Sequence, residues 1–209
     1  MYSLFNRVRV GHSFGEEIIE ELIEQDIIYI VDSREAPLKE YKKQLLKKEL
    51  RHYLIEPKIY FKKPFIRFWF LLVEPYIYKY SMEKILSNID EKKYILSSLI
   101  FEQLSIEILK EEFKAKDSIV EIASYWDVNS EFDIYAKTKS NKFILGECKY
   151  KNRPITKAEL LKLKSKAKAS SLDVDKFALF SKSGYSNELN KINSNNLTLY
   201  YLDDLKKLL

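Results

Sequence analysis

Two short segments constrain this chain more than anything else in it. Glu131-Phe132-Asp133-Ile134 opens the first, and Gly146-Glu147-Cys148-Lys149 closes the second. Between them lies the polar stretch Thr138-Lys139-Ser140-Asn141-Lys142. Alternating apolar residues on both sides of such a turn spell a β-hairpin, with strands over 131–137 and 143–150. Side chains on a strand alternate between faces, so Glu147 and Lys149 share one face and Cys148 takes the other. Asp133 stands at the far end of the partner strand and is placed to share the face of Glu147.

An acid on one strand and Glu-x-Lys on the next can bind a divalent metal beside a fixed cation. That chemistry suits hydrolysis of a phosphodiester, and a metal-dependent nuclease is the leading expectation. The competing reading is a cross-strand ion network at the surface, which needs the same residue types.

The rest of the chain supplies a setting. Ile18, Ile19, Leu22 and Ile23 have helical spacing, which predicts a helix over 14–26 with Ser13 as cap. A β-branched strand follows over 27–31. Residues 37–50 read as a lysine-rich helix or excursion, and 51–55 as a returning strand. Residues 61–80 carry eight aromatic side chains, including Phe61, Phe65, Phe68, Trp69 and Phe70, and read as a connecting helix ended by Pro75. Aromatics beside Lys62, Lys63 and Arg67 can stack on bases, but rings at helical spacing more often fill a core.

The longest periodic segment is 91–114, where Ile95, Leu99, Ile106, Leu109 and Phe113 form a stripe with Glu102 in its middle. A carboxylate on an inward stripe costs free energy unless something binds it. Its head group either escapes to solvent or serves a metal. A strand is expected over 119–125. Thr156-Lys157-Ala158-Glu159 is a capping box opening a helix to Ala169. A strand over 176–181, a short helix near 187–192, a strand over 197–201 and a terminal helix over 203–209 complete the chain. His12 and His52 are isolated and read as structural or solvent-exposed.

Charge is unevenly spread. The net charge is +5, yet residues 37–67 hold ten Lys and Arg against three acids, and 149–182 hold ten against three again. The intervening 68–148 holds ten against fourteen. Two basic zones bracket an acidic centre, as expected of a protein that grips a polyanion at its flanks and keeps carboxylates for metal between. Lysine-rich solvated helix faces would give the same counts. A single cysteine excludes an internal disulfide and fits a reducing compartment, so a cytoplasmic location is expected. No apolar run reaches membrane-spanning length, and residues 1–7 lack a secretion-signal pattern.

From Glu91 the order of elements is helix, three strands, helix, strand, helix, strand. With Asp133, Glu147-x-Lys149 and Glu102 in their places, this resembles the αβββαβ core of the PD-(D/E)XK nuclease superfamily. A closer likeness is to the uncharacterised C-terminal domain of archaeal-type P-loop ATPases. It rests on Pro64-Phe65-Ile66-Arg67-Phe68-Trp69-Phe70, Glu131-Phe132-Asp133-Ile134, Gly146-Glu147-Cys148-Lys149-Tyr150 and Ala178-Leu179-Phe180-Ser181-Lys182-Ser183-Gly184. These 209 residues hold no glycine-rich phosphate loop of such an ATPase, and Phe132 stands where the motif has proline.

The resemblance implies an α/β fold, more closely α+β with a mixed sheet, built on a restriction-endonuclease-like core. It implies three parts: a partial winged-helix-like nucleic-acid-binding segment (1–60), an aromatic linker (61–90) and a nuclease-like domain (91–209). The implied activity is Mg²⁺- or Mn²⁺-dependent DNA endonuclease, on duplex or branched DNA. Its metal ligands would be Asp133, Glu147, Glu102 and the backbone carbonyl of Cys148, with Lys149 completing the catalytic set. Lys151, Arg153, Lys157, Lys162, Lys164 and Lys166 would hold phosphates, as would Lys42, Lys43 and Lys47 of the first basic zone. A homodimer and a separate P-loop ATPase are the partners the resemblance suggests. The alternative is a catalytically inactive DNA-binding module, or a partner-interaction protein, working with such an ATPase.

Overall fold

The computed structural model describes residues 2–35, 44–45, 55–127, 130–192 and 194–209. Lys42, Lys43, Lys47, His52 and most of the expected elements over 37–50 and 51–55 lie outside them. The chain divides into two compact units, Met1–Lys93 and Tyr94–Leu209.

In the first unit, α1 (Tyr2–Val8) and α2 (His12–Glu24) precede β1 (Ile28–Val31). Helix α2 begins before the expected cap: Gly11, not Ser13, is the N-cap, and no side chain caps it. Phe5, Ile19 and Ile28 form a small core. The Phe5 ring sits where a Gly15 side chain would be, so only glycine allows α1 to lie this close. Strand β1 pairs antiparallel with β2 (Lys58–Phe61), later in the chain than the strand expected over 51–55.

The aromatic segment corrects another expectation. Pro75 does not end the helix. Helix α3 (Pro64–Phe68) runs into a π turn (Trp69–Val73), which leads to α4 (Glu74–Ile77). Proline lacks an N–H and crowds the carbonyl a turn earlier. Widening that turn lets the helical path pass it, as π bulges do elsewhere. Helix α5 (Met82–Lys114) then starts nine residues before the expected Glu91, inside the supposed linker.

The second unit is built on a five-stranded mixed sheet in the order β3-β4-β5-β6-β7. Strands β3 (Ile119–Trp126), β4 (Glu131–Thr138) and β5 (Phe143–Lys149) are antiparallel neighbours. Strands β6 (Lys176–Ser181) and β7 (Leu197–Tyr201) add in parallel. Helix α6 (Lys157–Ala169) connects β5 to β6, and α7 (Asn187–Asn190) connects β6 to β7. The expected terminal helix is a 3₁₀ helix, Leu202–Leu208.

The β4–β5 turn closes as the sequence suggests. Thr138 N–H donates to Lys142 O at 2.9 Å, Asn141 takes the left-handed conformation at φ 60°, and Asp117 accepts from Ser140 N–H at 2.9 Å. Asparagine tolerates that backbone region better than most residues.

Both sheet faces are covered. On one, Phe101, Ile108 and Leu109 of α5 pack on Ile134, Ile144 and Ala178. On the other, Leu160, Leu163 and Ala167 of α6 pack on Tyr135, Leu145 and Leu179. This explains why β6 reads as a nearly continuous apolar run. Each of the leucine, isoleucine and phenylalanine side chains contributes about 1.5–3 kcal/mol on burial. Helix α6 carries its capping box: Glu159 Oε2 accepts from Thr156 N–H at 2.9 Å.

Gly146 sits between Ile134 and Ala178 in the middle of the sheet. A Cβ there would lie 2.9 Å from Ile134 Cβ and 3.4 Å from Ala178 O. Gly146→Ala is therefore expected to cost about 1–2 kcal/mol by overpacking. Urea denaturation checks this: the midpoint should fall with no change in slope.

Candidate active site

The site forms where the β4–β5 ladder stops. Regular pairing runs from Lys137↔Phe143 to Ile134↔Gly146. Beyond it, Asp133 Oδ2 accepts from Cys148 N–H at 2.7 Å, a side chain taking the place of the next backbone bond. Strand β5 continues without β4 along β6, as far as Lys149↔Ser181.

A bulge in β4 produces the opening. Its pairing with β3 passes from Ala123↔Tyr135 to Tyr125↔Phe132, three steps on β4 against two on β3. Phe132 and Tyr135 consequently join the same core cluster, while Ile134 joins the opposite one. Asp133 lies inside this bulge. Bulges commonly re-aim side chains beside sites.

Four side chains named from sequence share an electrostatic neighbourhood here, from three separate elements: Glu102 of α5, Asp133 of β4, and Glu147 and Lys149 of β5. Glu102 does not sit mid-stripe. The buried face of α5 is Phe101, Ser105, Ile108 and Leu109, and Glu102 lies half-buried at its edge. Burial pushes its carboxyl up to about 7, helped by the charges of Asp133 and Glu131. Burial likewise pushes Asp133 up to about 6, with Glu147 adding repulsion and the Cys148 N–H pulling the other way.

Lys149 is ion-paired with Glu147, their side chains only 26% and 19% exposed. Burial alone would lower the ammonium's pKa, but Glu147 and then Asp133 hold it above the ordinary lysine value. Lys149 is thus firmly a cation at neutral pH.

Cys148 points away, into the α5-side core. Burial, then the charge of Asp133, push its thiol well above the ordinary value, leaving an inert sulfhydryl. Tyr150 packs too, its ring 5.5 Å from Phe101.

Sequence reading missed Glu131. Its charge acts on both Glu102 and Asp133. It stands two residues from Asp133, and that strand spacing is the signal that could have found it. Lys166 was named for phosphate, yet its Nζ donates to Glu131 O at 2.7 Å and lies 4.9 Å from the Phe132 ring centroid.

The basic residues separate by position. Lys151, Arg153, Lys162 and Lys166 line a cavity of about 320 Å³ that also includes Glu147 and Lys149. Lys157 and Lys164 lie on α6 outside that lining, and Lys164 Nζ sits 5.3 Å from the Phe177 ring centroid.

A divalent cation suits this donor set. The acids offer hard oxygens, and carboxyls that resist ionisation because they are buried near one another gain most from a positive charge between them. The arrangement is not closed around a point, however. Among the described residues, no three His, Cys, Asp or Glu side chains stand together as a ready-made metal-binding group. Glu147 is turned onto Lys149, and Asp133 is engaged with Cys148 N–H.

Among the described residues, no helix is long and apolar enough to cross a membrane. No curated protein and no solved structure matches the chain. Residues 69–168 match the family DUF234, archaea bacterial proteins of unknown function, and that span holds Glu102, Asp133, Glu147 and Lys149 together with the whole cationic lining of the cavity up to Lys166.

Proposed function

We propose that the chain is a metal-dependent DNA endonuclease with a restriction-endonuclease-like core, using Glu102, Asp133, Glu147 and Lys149. One observation carries the reading: three acids and a lysine from three elements, far apart in sequence, share one electrostatic neighbourhood at a strand opening. Two of the acids are held with raised pKa values, by burial first and then by charge: Glu102 by Asp133 and Glu131, Asp133 by Glu147. Perturbed carboxyls beside a fixed cation mark functional sites more often than structural ones. The order α5-β3-β4-β5-α6-β6 also supports it, since it is the order of that core.

Asp133, Glu147 and Glu102 would hold Mg²⁺ or Mn²⁺, with the Cys148 carbonyl as a further oxygen. The bound ion supplies a water of lowered pKa and stabilises negative charge on the phosphate. Lys149 stays protonated, so it acts as a charge stabiliser for the pentavalent phosphate rather than as a base. Lys151, Lys162 and Lys166 attract the backbone without reading sequence.

One observation favours a second reading, a catalytically silent DNA-binding module that serves a partner such as a separate ATPase. Glu147 is already neutralised by Lys149, and no closed ligand group is present among the described residues.

Cleavage decides between them. Labelled plasmid, single-stranded and branched DNA are incubated with Mn²⁺ or with EDTA. Cutting in Mn²⁺ alone is the expected result. Salt-sensitive binding of all substrates without cutting would establish the binding module instead, and absence of both would remove both readings.

A further inference from the structure

The cavity beside the site has its own construction. Its floor is apolar, formed by Ile155, Leu163 and Leu179, all buried. One wall is α6, which presents Lys162 and Lys166. The other is the segment after β5, which presents Lys151 and Arg153. That segment is pinned in place: Ser183 Oγ donates to Lys151 O at 2.7 Å, and Lys182 Nζ to Asn152 Oδ1 at 2.8 Å. Ile155 is fixed to the loop after β6 by Ile155 N–H to Gly184 O and Ser186 N–H to Ile155 O, both 2.9 Å.

The cations are not all committed. Arg153 is oriented by Glu159, with Nη2 3.0 Å from Oε1. Burial alone would raise the Glu159 carboxyl, but the Thr156 N–H and then Arg153 hold it below the usual range, so it stays an anion and keeps the guanidinium in place. Among the described residues, Lys151 and Lys162 have no ion pair or hydrogen bond through their ammonium groups, although both line one concave space. Like charges gathered around an apolar floor favour an anion with an apolar body.

The size narrows the choice. About 320 Å³ is the lower end of small-ligand pockets, roughly 300–1,000 Å³. It holds one nucleotide and excludes a double helix. We infer that this cavity is a subsite for a single unpaired nucleotide, with its phosphate between Lys151, Arg153 and Lys162 and its sugar and base on the Ile155–Leu163–Leu179 floor. Because Glu147 and Lys149 form its inner rim, that nucleotide adjoins the cut, which rests on the nuclease reading. The substrate class is then a strand with an unpaired end or flap, in preference to continuous duplex.

Isothermal titration in EDTA tests the subsite without asking for catalysis. The probes are deoxyadenosine 5′-monophosphate, deoxyadenosine and inorganic phosphate. The monophosphate is expected to bind at least tenfold tighter than either fragment, and Lys151→Glu/Lys162→Glu to weaken it at least tenfold. Both positions are exposed, and circular dichroism checks that the fold survives. A monophosphate bound no tighter than inorganic phosphate, or unaffected by the double variant, overturns the subsite. A duplex with a single-stranded overhang should also bind at least tenfold tighter than a blunt duplex of equal length, and equal affinity overturns the substrate class. These results stand whether or not the protein cuts, so failure of the subsite and failure of the nuclease reading are told apart.

Discussion

Glu147→Ala and Asp133→Asn each reduce Mn²⁺-dependent DNA cleavage by at least about 10³-fold, since loss of a metal's charge stabilisation is worth about 4 kcal/mol in the transition state. The two substitutions differ in what they leave behind. Among the described residues Glu147 is paired only with Lys149, and it is partly exposed, so its loss frees an ammonium without opening the core. Asp133 also accepts the Cys148 N–H. Asparagine keeps that acceptor and alanine does not, so Asp133→Ala leaves a donor unpaired at a cost of about 1–3 kcal/mol. The expected pattern is that Asp133→Asn melts no lower than the parent and is inactive, while Asp133→Ala is less stable than Asp133→Asn and equally inactive. Binding of DNA in EDTA serves as the control and should stay within a fewfold of the parent. If Asp133→Asn or Glu147→Ala cleaves within tenfold of the parent, the site assignment is wrong.

The parts of this site that were legible in sequence are those set by local rules. The hairpin follows from alternation and a five-residue polar turn, and these alone put Glu147 and Lys149 on one face. The start of α6 follows from Thr156 and Glu159, which satisfy the helix's first N–H groups wherever the helix lies. What could not be read depends on partners distant in the chain. Helix α5 is apolar over much of its girth, with Tyr94, Leu96, Ile100 and Leu104 outside the expected stripe, so several faces were equally eligible. Packing against Ile134, Ile144 and Ala178 selects Phe101, Ile108 and Leu109, and this rotates Glu102 to the edge. The bulge in β4 adds one residue to a strand whose neighbours Phe132 and Ile134 are both apolar, so alternation carries no mark of it. Pro75 misled for a similar reason: its chemistry forbids an ordinary turn, not a widened one.

Cleavage should also rise steeply with pH, by at least about 10²-fold between pH 5 and pH 8, because carboxyls must lose their protons before they can hold a metal. Burial places Asp133 at about 6 and Glu102 at about 7, and the two titrate as a pair rather than separately. The stability of the metal-free protein must run the other way. Both groups bind a proton more tightly folded than unfolded, where 3.8 and 4.5 apply. The folded state therefore holds the extra protons between about pH 4 and pH 7, and stability falls as pH rises through that window. Mn²⁺ opposes the loss only where the carboxyls are ionised, so it raises the melting temperature at pH 8 and not at pH 5. Glu102→Gln removes one of the two shifted groups. At pH 8 without metal it should be more stable than the parent by about 1–2 kcal/mol, a rise of about 3–6 °C in melting temperature. At pH 4.5 the two should coincide. Melting curves across pH 4.5–8, with Mn²⁺ or EDTA, carry the test. A parent protein whose metal-free stability is flat over this range would mean that neither burial nor neighbouring charge holds Glu102 and Asp133 above their ordinary values, and the reason for expecting a cation there would go with it.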